Sequence, residues 1–252
     1  MTTTAPTTAR TATSRVPRDP ARKTALAAGG FYLLTFISIP ALLLIHPVLS
    51  NTNYIVSSGA DTRVLLGCLF DVITALAGIG TAVALFPVMK RQNESFALGF
   101  VTARMFEAAV IVIGVVSLLA VVTLRQDLAG ATGTDTGSLV TTGRSLVAVR
   151  DWTFLLGPGV LPGINALLLG TLMYRSRLVP RAIPLMGLIG APLLLASAVA
   201  VFFGAYDQVS SISAIATLPV AAWELSLGIW LVVKGFKPSP ITALDNIRAR
   251  TT

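Results

Sequence analysis

Six apolar blocks, each of about 20 residues or more, divide the chain, and that pattern is incompatible with a soluble fold. A helix rises about 1.5 Å per residue, so about 20 residues cross roughly 30 Å of hydrocarbon. The blocks cover residues 24–46, 64–89, 96–124, 146–174, 182–204 and 213–234. They predict an all-α polytopic integral membrane protein, with six transmembrane helices in one bundle and the lipid bilayer as its surroundings. The composition agrees: 54 % of residues are hydrophobic, 12 % are charged, and the mean hydropathy is +0.79.

The first block has a basic leader (Arg10, Arg15, Arg18, Arg22, Lys23), as a secretory signal does. Its apolar run is too long for a signal core and no small-x-small cleavage site follows it, so it reads as a retained signal anchor. Residues 1–21, rich in Thr, Ala, Pro and Arg, lack any apolar period and predict a disordered basic cytoplasmic tail. Residues 22–236 form the transmembrane domain in this reading, and 237–252 a cytoplasmic C-terminal tail.

The net charge of +8 is a topology signal rather than a nucleic-acid footprint. Fourteen of the nineteen Lys and Arg residues fall in the two tails or at the span ends beside them (Arg22, Lys23, Lys234) and in the loops at 90–95 and 175–181. The alternate loops hold Arg63, Arg125 and Arg144, so the positive-inside rule places both termini in the cytoplasm. No nucleic-acid partner is expected. Cys68 is the single cysteine, which excludes an internal disulfide, and the single histidine, His46, excludes a multi-His metal site or bis-His haem ligation. Neither a metal, another cofactor nor a nucleotide-binding motif is predicted.

The third block, GFVTARMFEAAVIVIGVVSLLAVVTL, carries Arg104 and Glu107 inside an otherwise apolar run. A charge at the centre of a bilayer costs roughly 2.5–3.5 kcal/mol on the insertion scale, so such a residue needs a partner. The i, i+3 spacing puts the two on one helical face, where they can pair. In span six, AAWELSLGIW places Glu224 at similar depth, on a face with Ser213, Thr217 and Gly228. We therefore expect a buried Arg104–Glu107–Glu224 cluster joining spans three and six. Two acids sharing one arginine leave a negative site unless one binds a proton, which makes ligand or proton work available there.

A second polar layer is expected from Asp71 in span two, with Thr74 and Gly78 on its face, and from Arg150, Asp151 and Asn165 in span four. Asp71 and Arg150 meet if spans two and four are close. Asp151, Pro158 and Asn165 recur every seven residues, which predicts one shared face. Span four also reads LLGPGVLPGIN, where Pro158 and Pro162 remove backbone donors and Gly157, Gly159 and Gly163 relax the helix. A kink or break is predicted there, near the middle of the span.

The stretches ALFPVMKRQNESFALGF, RMFEAAV, DWTFLLGPG, YRSRLVPRAIPLMGLIGAPLLL and WELSLGIWLVVKGFKPSP cover every span but the first, which reads GGFYLLTFISIPALLL. Over Arg22 to about Pro240 the chain resembles the bacterial membrane-protein family of domain of unknown function 4386. The resemblance implies a multi-helix protein of the bacterial cytoplasmic membrane and carries no catalytic residue to this chain.

Three functions fit these features. The first is a small-molecule or proton-linked permease or exporter, expected as a homo-oligomer because six spans are few for a lone transporter. The second is a non-enzymatic accessory or regulatory subunit with a membrane partner protein, its charges pinning helices. The third, ranked last, is an enzyme acting on lipid through Asp71 or Asp151; no nucleophile, base and orienting group can be assembled from motif spacing.

Overall fold

The computed structural model describes residues 20–57, 61–127, 135–238 and 240. Residues 1–19 and 241–252 of the two predicted tails lie outside the described residues. Span one consists of α1 (Pro20–Thr35) and α2 (Ser38–Ser50), span two of α3 (Thr62–Met89), and span three of α4 (Glu94–Asp127). Span four consists of α5 (Thr136–Leu156) and α6 (Leu161–Ser176), span five of α7 (Ala182–Phe202), and span six of α8 (Ser211–Val233). All six segments are long and apolar enough to cross a membrane.

Short turns make consecutive spans antiparallel neighbours. After α3 the chain reverses within four residues, and Asn93 starts α4 by accepting the Phe96 N–H at 2.9 Å through its side-chain oxygen. Arg177 ends α6 in the left-handed conformation, φ 57°. Each span packs on the next in the chain, and span six returns to span one, so the bundle is a closed ring. The start of α1 and the end of α8 lie together: Arg22 donates to the carbonyls of Leu231 and Val232 at 3.0 and 2.6 Å. A cation thereby satisfies the last, unpaired carbonyls of α8. We call this the terminus end of the bundle.

Small residues set the closest contacts. A Cβ added to Gly29 would lie 2.7 Å from the Gly228 carbonyl oxygen, and one added to Gly190 would lie 2.9 Å from the Val220 backbone nitrogen. Spans one and five thus meet span six at backbone distance, as helices in lipid do where bulk is absent. Two apolar cores result. Tyr32, Phe100, Met173, Trp223 and Leu227 are fully buried in the terminus half. Ile45, Val64, Cys68, Leu118 and Val121 fill the far half among spans one to three.

Three boundaries differ from expectation. Span one is not continuous: Phe36 and Ile37 bond back to Leu33 and Leu34 at 3.3 and 3.1 Å, tighter i→i−3 turns. Pro40 lacks the N–H that would reach the Phe36 carbonyl, and Thr35 bonds back to the Tyr32 carbonyl at 2.7 Å, which also favours bending. Span three runs on through Arg125 to Asp127. Helix α5 begins ten residues before the predicted block, at Thr136, in a Thr/Gly-rich segment assigned to a loop. Asp135 caps it by accepting the Gly137 N–H, and Leu139, Val140, Leu146 and Val147 pack on the far-half core, outweighing low helix propensity.

Candidate functional site

The charged residues of spans three and six meet across the ring. Arg104 is 4 % exposed and donates from Nη1 to Glu107 Oε2 at 3.0 Å and from Nη2 to Glu224 Oε1 at 2.5 Å. Nη2 also lies 3.4 Å from the Tyr32 hydroxyl, and Asn165 Nδ2 donates to Glu107 Oε2 at 2.9 Å. The guanidinium carbon sits 5.4 Å from the Tyr32 ring centre and 5.7 Å from that of Phe100, within cation–π range. Gly78 leaves room on α3 for the arginine to pass: a Cβ there would lie 3.9 Å from Arg104 Cδ. Sequence reasoning missed Tyr32, since a lone tyrosine in an apolar block looks like packing.

The second layer lies toward the far end. Arg150 Nη2 donates to Asp71 Oδ2 at 3.1 Å, bridging spans four and two past span three, and its guanidinium covers the Phe154 ring at 4.8 Å. Gly114 of α4 makes the crossing fit, because a Cβ there would meet Thr153 Oγ1 at 2.6 Å and Arg150 Cδ at 2.9 Å. The remaining two residues expected in this layer separate. Asn165 joins the first cluster through Glu107. Asp151 is exposed and lines a separate pocket of about 200 Å³ with Arg144, Asn51 and Thr52. The sevenfold spacing of Asp151, Pro158 and Asn165 does not give a shared face, because the helix that would carry it is interrupted.

That interruption spans Gly157–Val160. Gly157 bonds to the Thr153 carbonyl at 2.9 Å, Pro158 cannot donate, and Gly159 donates to Phe154 O at 2.9 Å in place of the normal partner. A Cβ on Gly159 would lie 2.4 Å from the Leu155 carbonyl oxygen, so this turn excludes any larger residue. Pro162 opens α6, while Gly163 faces Leu195 of α7.

Both charge layers and both helix interruptions border one cavity of about 300 Å³. Every span contributes: Thr35 and Ser38 from span one, Asp71 from two, Glu107 from three, Pro158 from four, Leu194 from five and Glu224 from six. Toward the terminus end the buried Tyr32 and Phe100 lie against Arg104, and Tyr32 meets the buried Trp223 edge to face with centroids 6.4 Å apart. Among the described residues, no three His, Cys, Asp or Glu side chains gather as metal ligands would.

At the far end a clasp holds the loop between spans one and two. Arg125 pairs with Asp61, donates from Nε to Ser57 O at 3.0 Å, and stacks 4.6 Å above the Tyr54 ring. Tyr54 donates to Asp61 Oδ1 at 3.0 Å, and Gln126 to Asp61 Oδ2 at 3.1 Å. Burial and the bond to an acceptor carboxylate push the Tyr54 phenol above its ordinary range. Sequence reasoning counted Arg125 as a loop charge and had no signal for its partners.

Six apolar spans around a central charged cavity define a polytopic integral membrane protein in contact with lipid. The chain belongs to the family described as Domain of unknown function (DUF4386), which matches it over residues 27–235. No curated protein and no solved structure matches it.

Proposed function

We propose that this chain is a small-molecule or proton-linked permease or exporter of the bacterial cytoplasmic membrane, with both termini in the cytoplasm. The observation that carries the reading is the cavity itself: ionisable residues and two broken helices border it part-way along the spans, and all six spans line it. Intramembrane carboxylates and interrupted helices are what substrate and proton sites in transporters are built from. Arg104, Glu107, Glu224 and Asn165 form the inner part of the proposed site, and Asp71 with Arg150 the outer part. The interruptions supply hinges, and the aromatic cluster of Tyr32, Phe100 and Trp223 forms the cytoplasmic barrier.

The test is proton flux into liposomes containing the purified protein, read with an enclosed pH dye, for the parent and Glu224→Gln. Flux in the parent that the substitution abolishes supports the proposal. No flux in either, with a stoichiometric partner recovered at native expression, favours the accessory-subunit reading. One observation speaks for that second reading: Arg104–Glu224 and Arg150–Asp71 each join spans that are not chain neighbours, as structural pins would.

A further inference from the structure

Spans one and six are held together along α1, where Gly29 backs onto Gly228, Arg22 caps α8 and Tyr32 meets Trp223. Past the break at Phe36–Ile37, the chain turns to span two: a Cβ on Gly67 of α3 would meet Ile45 Cγ2 of α2 at 2.6 Å. The cavity opens where the two part. Ile39 of α2 and Thr217 of α8 both border it, and both are exposed, Ile39 at 60 %. On the same two helices Leu43, one turn on from Ile39, and Ile215 and Leu218 near Thr217 are exposed as well. These are lipid-facing residues, so the slot faces the bilayer and not an aqueous vestibule.

The charge inside is unbalanced. Asp71, Glu107 and Glu224 face Arg104 and Arg150, an excess of one negative charge among the charged residues that line the cavity. The hydrogen bonds also leave acceptors over. Glu107 is engaged at Oε2, Glu224 at Oε1 and Asp71 at Oδ2, and the second oxygen of each has no hydrogen-bond partner among the described residues. Of the arginine donors left over, Nε of Arg104 and of Arg150 is buried from any guest, and Nη1 of Arg150 has no hydrogen-bond partner among the described residues, so the three carboxylates outnumber the arginines in charge rather than in free polar atoms. A net negative charge in a lining that is mostly apolar suits a guest with a positive charge and a greasy body.

We propose that the slot between α2 and α8 admits a hydrophobic monovalent organic cation from the leaflet far from the termini, its charge held by Glu224, Glu107 and Asp71. This rests on the permease reading and names its substrate class. A volume of about 300 Å³ lies at the lower end of drug-sized sites. One bound proton balances the same excess charge, so proton and cation compete. The groups that decide the competition are Asp71 on α3, Arg104 and Glu107 on α4, Arg150 on α5 and Glu224 on α8, with the Tyr32 hydroxyl of α1 beneath them.

The experiment is equilibrium binding of radiolabelled tetraphenylphosphonium to the full chain in lipid nanodiscs. Two variants are compared with the parent, with thermal stability measured alongside. One is Glu224→Gln. The other is the pair Ile39→Cys and Thr217→Cys on a Cys68→Ala background, bridged by a bismaleimide that reductant cleaves. The expected result is saturable binding that weakens as pH falls and is about tenfold weaker in Glu224→Gln. Bridging should remove it and reductant restore it, with stability unchanged. Absence of saturable binding in the parent, or binding indifferent to the bridge, overturns the proposal. Proton flux without cation binding defeats this inference and leaves the permease reading intact. Cation binding without flux of cation or proton defeats the permease reading and leaves the site.

Discussion

Arg104 of α4 and Glu224 of α8, 120 residues apart, meet at 2.5 Å across the centre of a ring in which their helices are not chain neighbours. The arginine holds Glu107 with its other terminal nitrogen, so one cation serves two acids. Charge swaps test the pair. Arg104→Glu gathers three acids and Glu224→Arg two cations, and each should lower stability by about 3–5 kcal/mol, the usual loss when a buried pair is broken. The double swap should recover part of that loss. Thermal unfolding in detergent reads it; a double swap no better than the worse single one would show that the two side chains do not couple.

Asp71 and Arg150 form a simpler pair at 3.1 Å, with one carboxylate to one guanidinium. Asp71→Asn leaves the buried guanidinium without a counter-charge and Arg150→Gln leaves the carboxylate without one, so each should lower stability by about 3–5 kcal/mol. A double-mutant cycle should give a coupling of about 0.5–3 kcal/mol. Coupling below the error of the unfolding measurement would mean that water competes for this pair.

Legibility differed by element, for physical reasons. Apolar blocks are long and declare themselves, so the spans were readable to within a few residues except where tertiary contacts extend a helix. Thr136–Ser145 is an example: its Thr and Gly content argues for a loop, and the Asp135 cap and packing on Ile55 make it helical. The break in span four was legible because two prolines and three glycines crowd together there. The break in span one hid behind a single Pro40 among aliphatic residues. Arg104 and Glu107 share a face by spacing alone, and equal depth in the membrane suggested Glu224. By contrast, Asp151 was placed beside Pro158 and Asn165 by a period that holds for an unbroken helix, and the break at Gly157–Val160 removes it. The Asp61–Arg125 clasp joins a loop to a helix end, and no local pattern encodes such a pairing.

Gly159 gives the sharpest test of the span-four turn. A methyl group 2.4 Å from the Leu155 carbonyl oxygen cannot be accommodated without moving backbone, so Gly159→Ala should destabilise by about 1–3 kcal/mol. Gly30, where an added Cβ meets nothing within 4 Å, is the control, and Gly30→Ala should be neutral or slightly stabilising. Equal behaviour of the two variants in thermal unfolding would mean that the turn is not held in this geometry.

The clasp at Arg125 should govern how firmly the loop between spans one and two is held. Arg125 bonds Ser57 O, pairs with Asp61 and stacks on Tyr54, so Arg125→Gln removes the ion pair and the ring contact together. Asp61→Asn leaves the stacking in place and should do less. Hydrogen exchange of the amides at Tyr54, Val56 and Ser57, which bond within the turn, should speed up about tenfold or more in Arg125→Gln, a local loss of about 1.4 kcal/mol. Amides within α3 and α4, protected by their own helices, should change little. Acceleration spread evenly over the whole bundle would assign Arg125 to global stability and leave the loop without a dedicated fastening.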